Sequence, residues 1–334
     1  MSLFFLSLPF LPHYNSGMSN KTLSPFASVR KIAENLIQNS TDLLTIAPSV
    51  VSGELKQKLE TFRTHRMDNL LSVPTLPAEG ELGLCLFFNS VNFCYRDPSS
   101  GKEYRYTAQD GRSLKRTSAF FTALAESGLD WNDLRQVAAL SSQKWLEMTQ
   151  LDEKNILYLG LERRERIAGL ARFLMVLGMD TIFNFVSSKD FDSLKIMNVL
   201  IESGYFQDEF LKRAQVALKM IDAVAASRLG RGLTGINELT CMADYRIPQV
   251  FYNLGAVKLS SGLEQQLIRQ EPILSGSREE LALRATVIVI GLQLARLMSI
   301  CEAEVDTLLW EFSQQMDKTG QMKIPHMLVA TDKY

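Results

Sequence analysis

Beyond Thr107 this chain repeats its apolar residues at helical spacing in stretch after stretch, and the gaps between stretches are short. Segments 115–127, 130–140, 142–149, 154–177, 190–203, 207–228, 236–243, 247–255, 260–270, 277–298 and 302–316 each read as a helix. The few residues between them hold Gly, Ser or Asp, as turns between packed helices require. Upstream, Ser24 to Asn39 reads as a helix with Ser24 as N-cap and Pro25 in the first turn. Glu54 to Leu70 reads as a second, charged and amphipathic helix. The texture differs only at LGLCLFFNSVNFCYR (82–96), which is followed by DPSSGKEYRYT. That pattern predicts a strand, an Asp-Pro/Ser-Gly turn and a second short strand. The expected fold is therefore mainly α, one compact multi-helix domain over 24–334 with a small antiparallel β insert near 82–107.

Composition narrows the function classes. The chain has 334 residues, 46% of them hydrophobic, and a formal net charge of −1. A broad phosphate-backbone footprint usually needs a basic excess, so stable nucleic-acid binding is not expected, whereas a local pocket for one phosphate is allowed. Cys85, Cys94, Cys241 and Cys301 are far apart and form no CxxC pair, which predicts free thiols in a reducing, cytoplasmic setting. With only His13, His65 and His326, no metal site is expected, and no cofactor motif is present. MSLFFLSLPFLP at the start is apolar but lacks a basic n-region and an A-x-A-like cleavage site. We expect residues 1–23 to be a disordered extension or a mis-assigned start, since Met18 opens an ordinary sequence. Charges interrupt the other apolar runs, so no membrane span is expected.

Four polar groupings could carry chemistry. In DEFLKRAQ (208–215), Lys212 and Gln215 share a helix face while Arg213 points elsewhere. Lys212 could hold a phosphate, or it could pair with Asp208 four residues earlier on a solvated surface. In GSREELALRA (276–285), Ser277 and Glu280 fit a capping box. Arg284 lies within an apolar helix, where a buried cation needs a carboxylate or phosphate. In NSVNFCY (89–95), Asn89, Asn92 and Tyr95 suit a turn, or the reading of a planar base edge beside an aromatic ring. Asp244, Tyr245 and Arg246 stand together in LTCMADYRIPQ, either as a helix-ending salt bridge or as part of a pocket, with Pro248 starting the next helix. Leu233-Thr234-Gly235-Ile236-Asn237 also resembles the hairpin of helix-hairpin-helix DNA glycosylases.

NFCY, KRAQ, LTCMADYRIPQ with LGAVKLS after it, and GSREELALRA occur here in that order. In this set the chain resembles the queuosine salvage proteins, the queuosine 5′-phosphate N-glycosylase/hydrolase family. The resemblance runs from about residue 80 onward and is strongest over 206–300. It implies a helical fold similar to helix-hairpin-helix DNA glycosylases. The implied activity is hydrolysis of the N-glycosidic bond of queuosine 5′-monophosphate to queuine and ribose 5-phosphate, without metal or cofactor. It also implies a small-molecule nucleotide partner. By the same resemblance Glu238 takes the place of the aspartate that precedes LT in the catalytic role. Asp244 would read the base edge, and Met242 stands where the family usually has phenylalanine. Lys212 would serve the phosphate or ribose, with Arg284, Glu280, Asn92 and Tyr95 completing the substrate-binding set. Ala282 replaces a family glutamate and Arg96 a tryptophan. Two alternatives remain open: a member of the family with impaired catalysis or altered specificity, and a helix-hairpin-helix protein acting on DNA.

Overall fold

The computed structural model describes residues 23–64, 76–97, 101–325 and 327–334. The N-terminal stretch before Leu23, the end of the second predicted helix, Pro98 to Ser100 of the predicted turn, and all three histidines lie outside the described residues. The described residues are mainly helical and form two small antiparallel sheets. The helices are α1 (Pro25–Gln38), α2 (Pro48–Val50), α3 (Lys56–Thr64), α4 (Ala78–Ser90), α5 (Arg116–Ala125), α6 (Leu134–Ala138), α7 (Ser142–Thr149) and α8 (Gly160–Val176). They continue as α9 (Ile182–Ser188), α10 (Ser193–Glu202), α11 (Lys212–Leu229), α12 (Ile247–Asn253), α13 (Ser261–Ile268), α14 (Arg278–Met298) and α15 (Glu302–Lys318). A π-helical turn, Val51–Leu55, leads into α3, and a 3-10 turn, Ile236–Glu238, follows α11.

Local chemistry sets the start of seven of these helices. The Ser24 side chain accepts from Ala27 N at 3.2 Å and Pro25 opens α1. Asp133, Ser141, Thr181, Asp192, Ser260 and Ser277 cap α6, α7, α9, α10, α13 and α14 in the same way.

The first part of the predicted strand over 82–96 is instead helix α4, with every residue from Gly80 to Ser90 buried, and 91–95 are irregular. A helix covered on all sides has no polar face, so its sequence shows no helical period to read. Gly83 lets it sit against the backbone of Trp131: a Cβ there would lie 2.0 Å from the Trp131 carbonyl oxygen. The antiparallel insert does exist further along, where β2 (Arg105–Thr107) pairs with β3 (Ser113–Lys115), and Arg96 bridges to Glu103. A second sheet was not foreseen: β1 (Leu44–Ile46) pairs with β4 (Val257–Leu259), which falls within LGAVKLS. Residues 236–243, read as a helix, form one 3-10 turn and then an irregular stretch. Helix α9 was absent from the sequence reading, and α10 starts at Ser193.

Apolar side chains gather in two large clusters. One is built around α4, α5, α8 and α11. The other lies between α12, α14, α15 and the 44–59 region. A smaller cluster joins α1 to α14 through Val29, Ala33, Ala285 and Ile288. Helix α14 is long and apolar enough to cross a membrane by composition alone, which the sequence reading did not anticipate. Two-thirds of that window, 67%, is buried within the fold, and it carries Arg284.

Substituting Gly83→Ala forces α4 away from Trp131. Urea denaturation should show a loss of about 1–3 kcal/mol, the usual range for overpacking a filled core, and wild-type stability would contradict the close approach.

Candidate active site

The stretch Leu239 to Asp244 has no regular secondary structure, yet it is buried through Ala243 and surfaces only at Asp244. Buried backbone outside helices and sheets must find other hydrogen-bond partners. Here side chains supply them. Thr240 N donates to Gln215 Oε1 at 2.8 Å, Met242 N to Asp306 Oδ1 at 2.9 Å, and Arg284 Nε to the Ala243 carbonyl at 2.8 Å. Arg30 from α1 donates to the Glu238 carbonyl at 3.0 Å. Lys212, Gln215 and Lys219 lie at i, i+3 and i+7 on α11 and share one face. Gln215 holds Thr240, and Lys219 pairs with Asp306 at 3.1 Å.

Arg284 is the hub behind this stretch. Fully buried, it donates to both oxygens of Asp208 at 2.8 Å each and to Glu280 Oε1 at 3.2 Å. Its guanidinium carbon lies 3.6 Å from the centre of the Tyr334 ring and 4.9 Å from that of Phe210. The expected carboxylate partner is thus present twice over. Asp208 also accepts from Lys212 N at 2.9 Å, which caps the start of α11. The surface pair foreseen between the Asp208 and Lys212 side chains is not formed, because Asp208 faces inward to Arg284. Burial pushes the Asp208 carboxyl up, but Arg284 outweighs it and holds the group below its ordinary value.

Lys212 reaches the other way. Its Nζ lies 2.6 Å from Asp244 Oδ2, with both side chains mostly covered. Asp244 Oδ1 accepts from Arg246 N at 2.6 Å, which fixes the carboxylate in an Asx turn. The ammonium stands 5.7 Å from the Tyr245 ring and 5.9 Å from the Tyr334 ring. Burial, then the Asp244 charge, push the Tyr245 phenol well above its ordinary value. Arg246 is structural, but its partner is Asp317 on α15 at 2.7 Å rather than a local residue. Pro248 lies in the first turn of α12, as expected.

The remaining candidates divide. Tyr95 Oη donates to Asn92 Oδ1 at 2.9 Å, and Asn92 Nδ2 donates to Asn89 Oδ1 at 3.1 Å. Buried Arg163 holds this segment through the Phe93 and Cys94 carbonyls at 2.7 and 2.8 Å. Glu280 serves α14: its Oε2 accepts from Gly276 N at 3.0 Å, one residue further back than a standard capping box. The Met242 side chain is packed in the larger core, and Ala282 in the second. Glu238 ends the 3-10 turn with its side chain exposed. Asp306, Tyr334 and Arg163 escaped the sequence reading. A signal for Asp306 was available, since Glu302 and Asp306 lie four apart on an amphipathic helix and both are buried. Burial keeps the Asp306 carboxyl above its ordinary value despite Lys219. Among the described residues no group of His, Cys, Asp and Glu is arranged to hold a metal ion.

Replacing Arg284 with Met should cost roughly 3–5 kcal/mol, because Asp208 is left buried and unpaired. The acid response should also change sign. In the wild type the depressed Asp208 stabilises the fold above its unfolded pKa of 3.8, and this is lost as pH falls through the folded value. In Arg284→Met the unpaired carboxyl titrates high, so acidification should restore stability. Urea midpoints measured between neutral and acid pH check both, and an unchanged midpoint would contradict the hub.

Two comparisons bear on this arrangement. The chain is 29% identical over 260 residues to a queuosine 5′-phosphate N-glycosylase/hydrolase of Sphaerobacter thermophilus, covering 69% of this chain and 75% of that one. It is 23% identical over 320 residues to the Mus musculus protein of the same name, covering 88% and 94%. The family profile described as queuosine salvage protein matches residues 78–331, a span that holds Lys212, Asp244 and Arg284, and the chain belongs to that family.

Proposed function

We propose that this protein hydrolyses the N-glycosidic bond of queuosine 5′-phosphate, releasing queuine and ribose 5-phosphate, and that the Lys212–Asp244 pair is the centre of the reaction. One observation carries the assignment of residues. Asp244 is the point where a buried stretch, held from α1, α11, α14 and α15, meets solvent, and its carboxylate is fixed by Lys212 and Arg246. Cleavage of the C1′–N bond leaves positive charge on the ribose while the base departs with the bonding electrons and takes up a proton. Water then forms the new bond at C1′ and gives up a proton. A pre-oriented carboxylate beside C1′ stabilises that charge without reorganising in the transition state. Asp244 fits this role better than Glu238, whose exposed side chain is far less constrained. Lys212 is a point charge suited to the substrate phosphate or a ribose oxygen. Asn92 and Tyr95, hydrogen-bonded to each other, supply polar and aromatic surface for the base.

The relation to helix-hairpin-helix glycosylases belongs to the same proposal. It is supported by the turn at Gly235, whose φ of +73° suits glycine, between α11 and the 3-10 turn. The four free cysteines support a reducing, cytoplasmic setting.

Mass spectrometry of purified protein with queuosine 5′-monophosphate should detect queuine. Asp244→Asn should lower kcat by about 100-fold or more, the scale of removing one pre-organised electrostatic contact, while Glu238→Gln should stay within about threefold. The reverse ranking would return the catalytic role to Glu238. Tight binding of the nucleotide by the wild type without release of queuine would favour a binding protein.

A further inference from the structure

Residues 328 to 334 lie across the molecule as a strap that reaches the Lys212–Asp244 pair. The strap is fastened along its length. Ile273 N donates to the Leu328 carbonyl at 2.9 Å, and Ser275 Oγ donates to Thr331 Oγ1 at 3.0 Å. Asp332 pairs with Arg166 of α8. Arg213 Nε donates to the Lys333 carbonyl at 2.6 Å, and Lys333 Nζ pairs with Glu209 at 2.9 Å. Arg213 is itself buried and also donates to the Ser90 carbonyl of α4, so its attachment to the strap is part of the core. The strap delivers Tyr334, which is 1% exposed, onto the face of Arg284 and to within 6.0 Å of the Tyr245 ring.

We infer that Tyr334 is a positioning residue for the reaction: its ring packs closely on the Arg284 guanidinium and restrains it, and Arg284 in turn holds Asp208, the start of α11 and the Ala243 carbonyl in register. This rests on the glycosidase reading above. The physical argument is one of restraint. A guanidinium has its donors in one plane, so hydrogen bonds fix it within that plane and stacked rings fix it perpendicular to that plane. The Arg284 guanidinium carbon lies 3.6 Å from the centre of the Tyr334 ring and 4.9 Å from that of Phe210, so Tyr334 makes the closer ring contact. Without the Tyr334 ring, Arg284 could tilt and admit water. A tilt would be passed directly to Lys212 through Asp208 and to Asp244 through Ala243. Displacements on the order of 1 Å at a reacting group are enough to cost about 100-fold in rate.

The test compares Tyr334→Phe, which keeps the ring, with Tyr334→Leu, which removes it. Tyr334→Phe should retain kcat within about twofold, whereas Tyr334→Leu should lose about tenfold or more in kcat with KM changed less than about threefold. Hydrogen exchange read in the same proteins is independent of turnover: amides of residues 239–246 should exchange at least about tenfold faster in Tyr334→Leu than in Tyr334→Phe. If Tyr334→Leu does not fold, Arg166→Met, which releases Asp332 at the protein surface, takes its place with the same two readings. Unchanged kcat and unchanged exchange in the ring-less or released variant would overturn the inference. Wild-type protein that releases no queuine would sink the glycosidase reading alone, and the exchange comparison would still decide whether Tyr334 positions the pair.

Discussion

The bidentate pair between Arg284 and Asp208 is the interaction on which the rest of the site depends. Both side chains are buried, so Asp208 depends on Arg284 to remain charged in the fold, and Arg284 is paired with Glu280 as well. Between them they connect three parts of the chain that are distant in sequence. Asp208 caps α11 and thereby fixes where Lys212 starts that helix. Arg284, from α14, takes the Ala243 carbonyl and fixes the backbone immediately before Asp244. A buried ion pair is poor value as a source of stability compared with apolar packing. Its use here is geometric, because it sets two opposite charges 2.6 Å apart at the edge of an otherwise covered stretch.

That stretch explains why the site is not built on a helix. A helix over 239–244 would turn part of its backbone inward on itself and leave α11, α14 and α15 fewer groups to hold. An irregular strand of chain offers its amides and carbonyls outward, and Gln215, Asp306 and Arg284 take them. The carboxylate at its end is therefore oriented from three helices, the kind of preorganisation that the role proposed for Asp244 calls for. The segment with Asn92 and Tyr95 is built on the same plan, with Arg163 donating to its carbonyls.

Much of this was legible in the sequence where a residue's local chemistry decided its structure. Ser24 with Pro25, and Ser277 with Glu280, marked their helix starts correctly because capping depends on neighbours within a turn. Arg284, in an apolar helix, required a carboxylate or a phosphate if buried, and in the fold it is buried against two carboxylates. Lys212 and Gln215 do share a working face. What failed depended on contacts far away in sequence. Helix α4 carries no period because it is covered on every side. Asp208 looked like a partner for Lys212 four residues on, yet its true partner is 76 residues away. Residues 236–243 read as a helix from their apolar spacing, but Leu239 and Met242 pack in the larger core, Cys241 in the second and Ala243 in the smaller cluster. Glu238 takes its catalytic place from the motif, and that its side chain is exposed while the Asp244 carboxylate is held by Arg246 N is information the motif does not carry.

The most direct measurement is a crystal structure of the catalytically silenced Asp244→Asn protein soaked with queuosine 5′-monophosphate. The account predicts that C1′ lies in contact with the residue 244 side chain, with Lys212 turned toward the ribose or phosphate and Arg284 unmoved. A nucleotide whose C1′ lies beside Glu238 and away from residue 244 would contradict it.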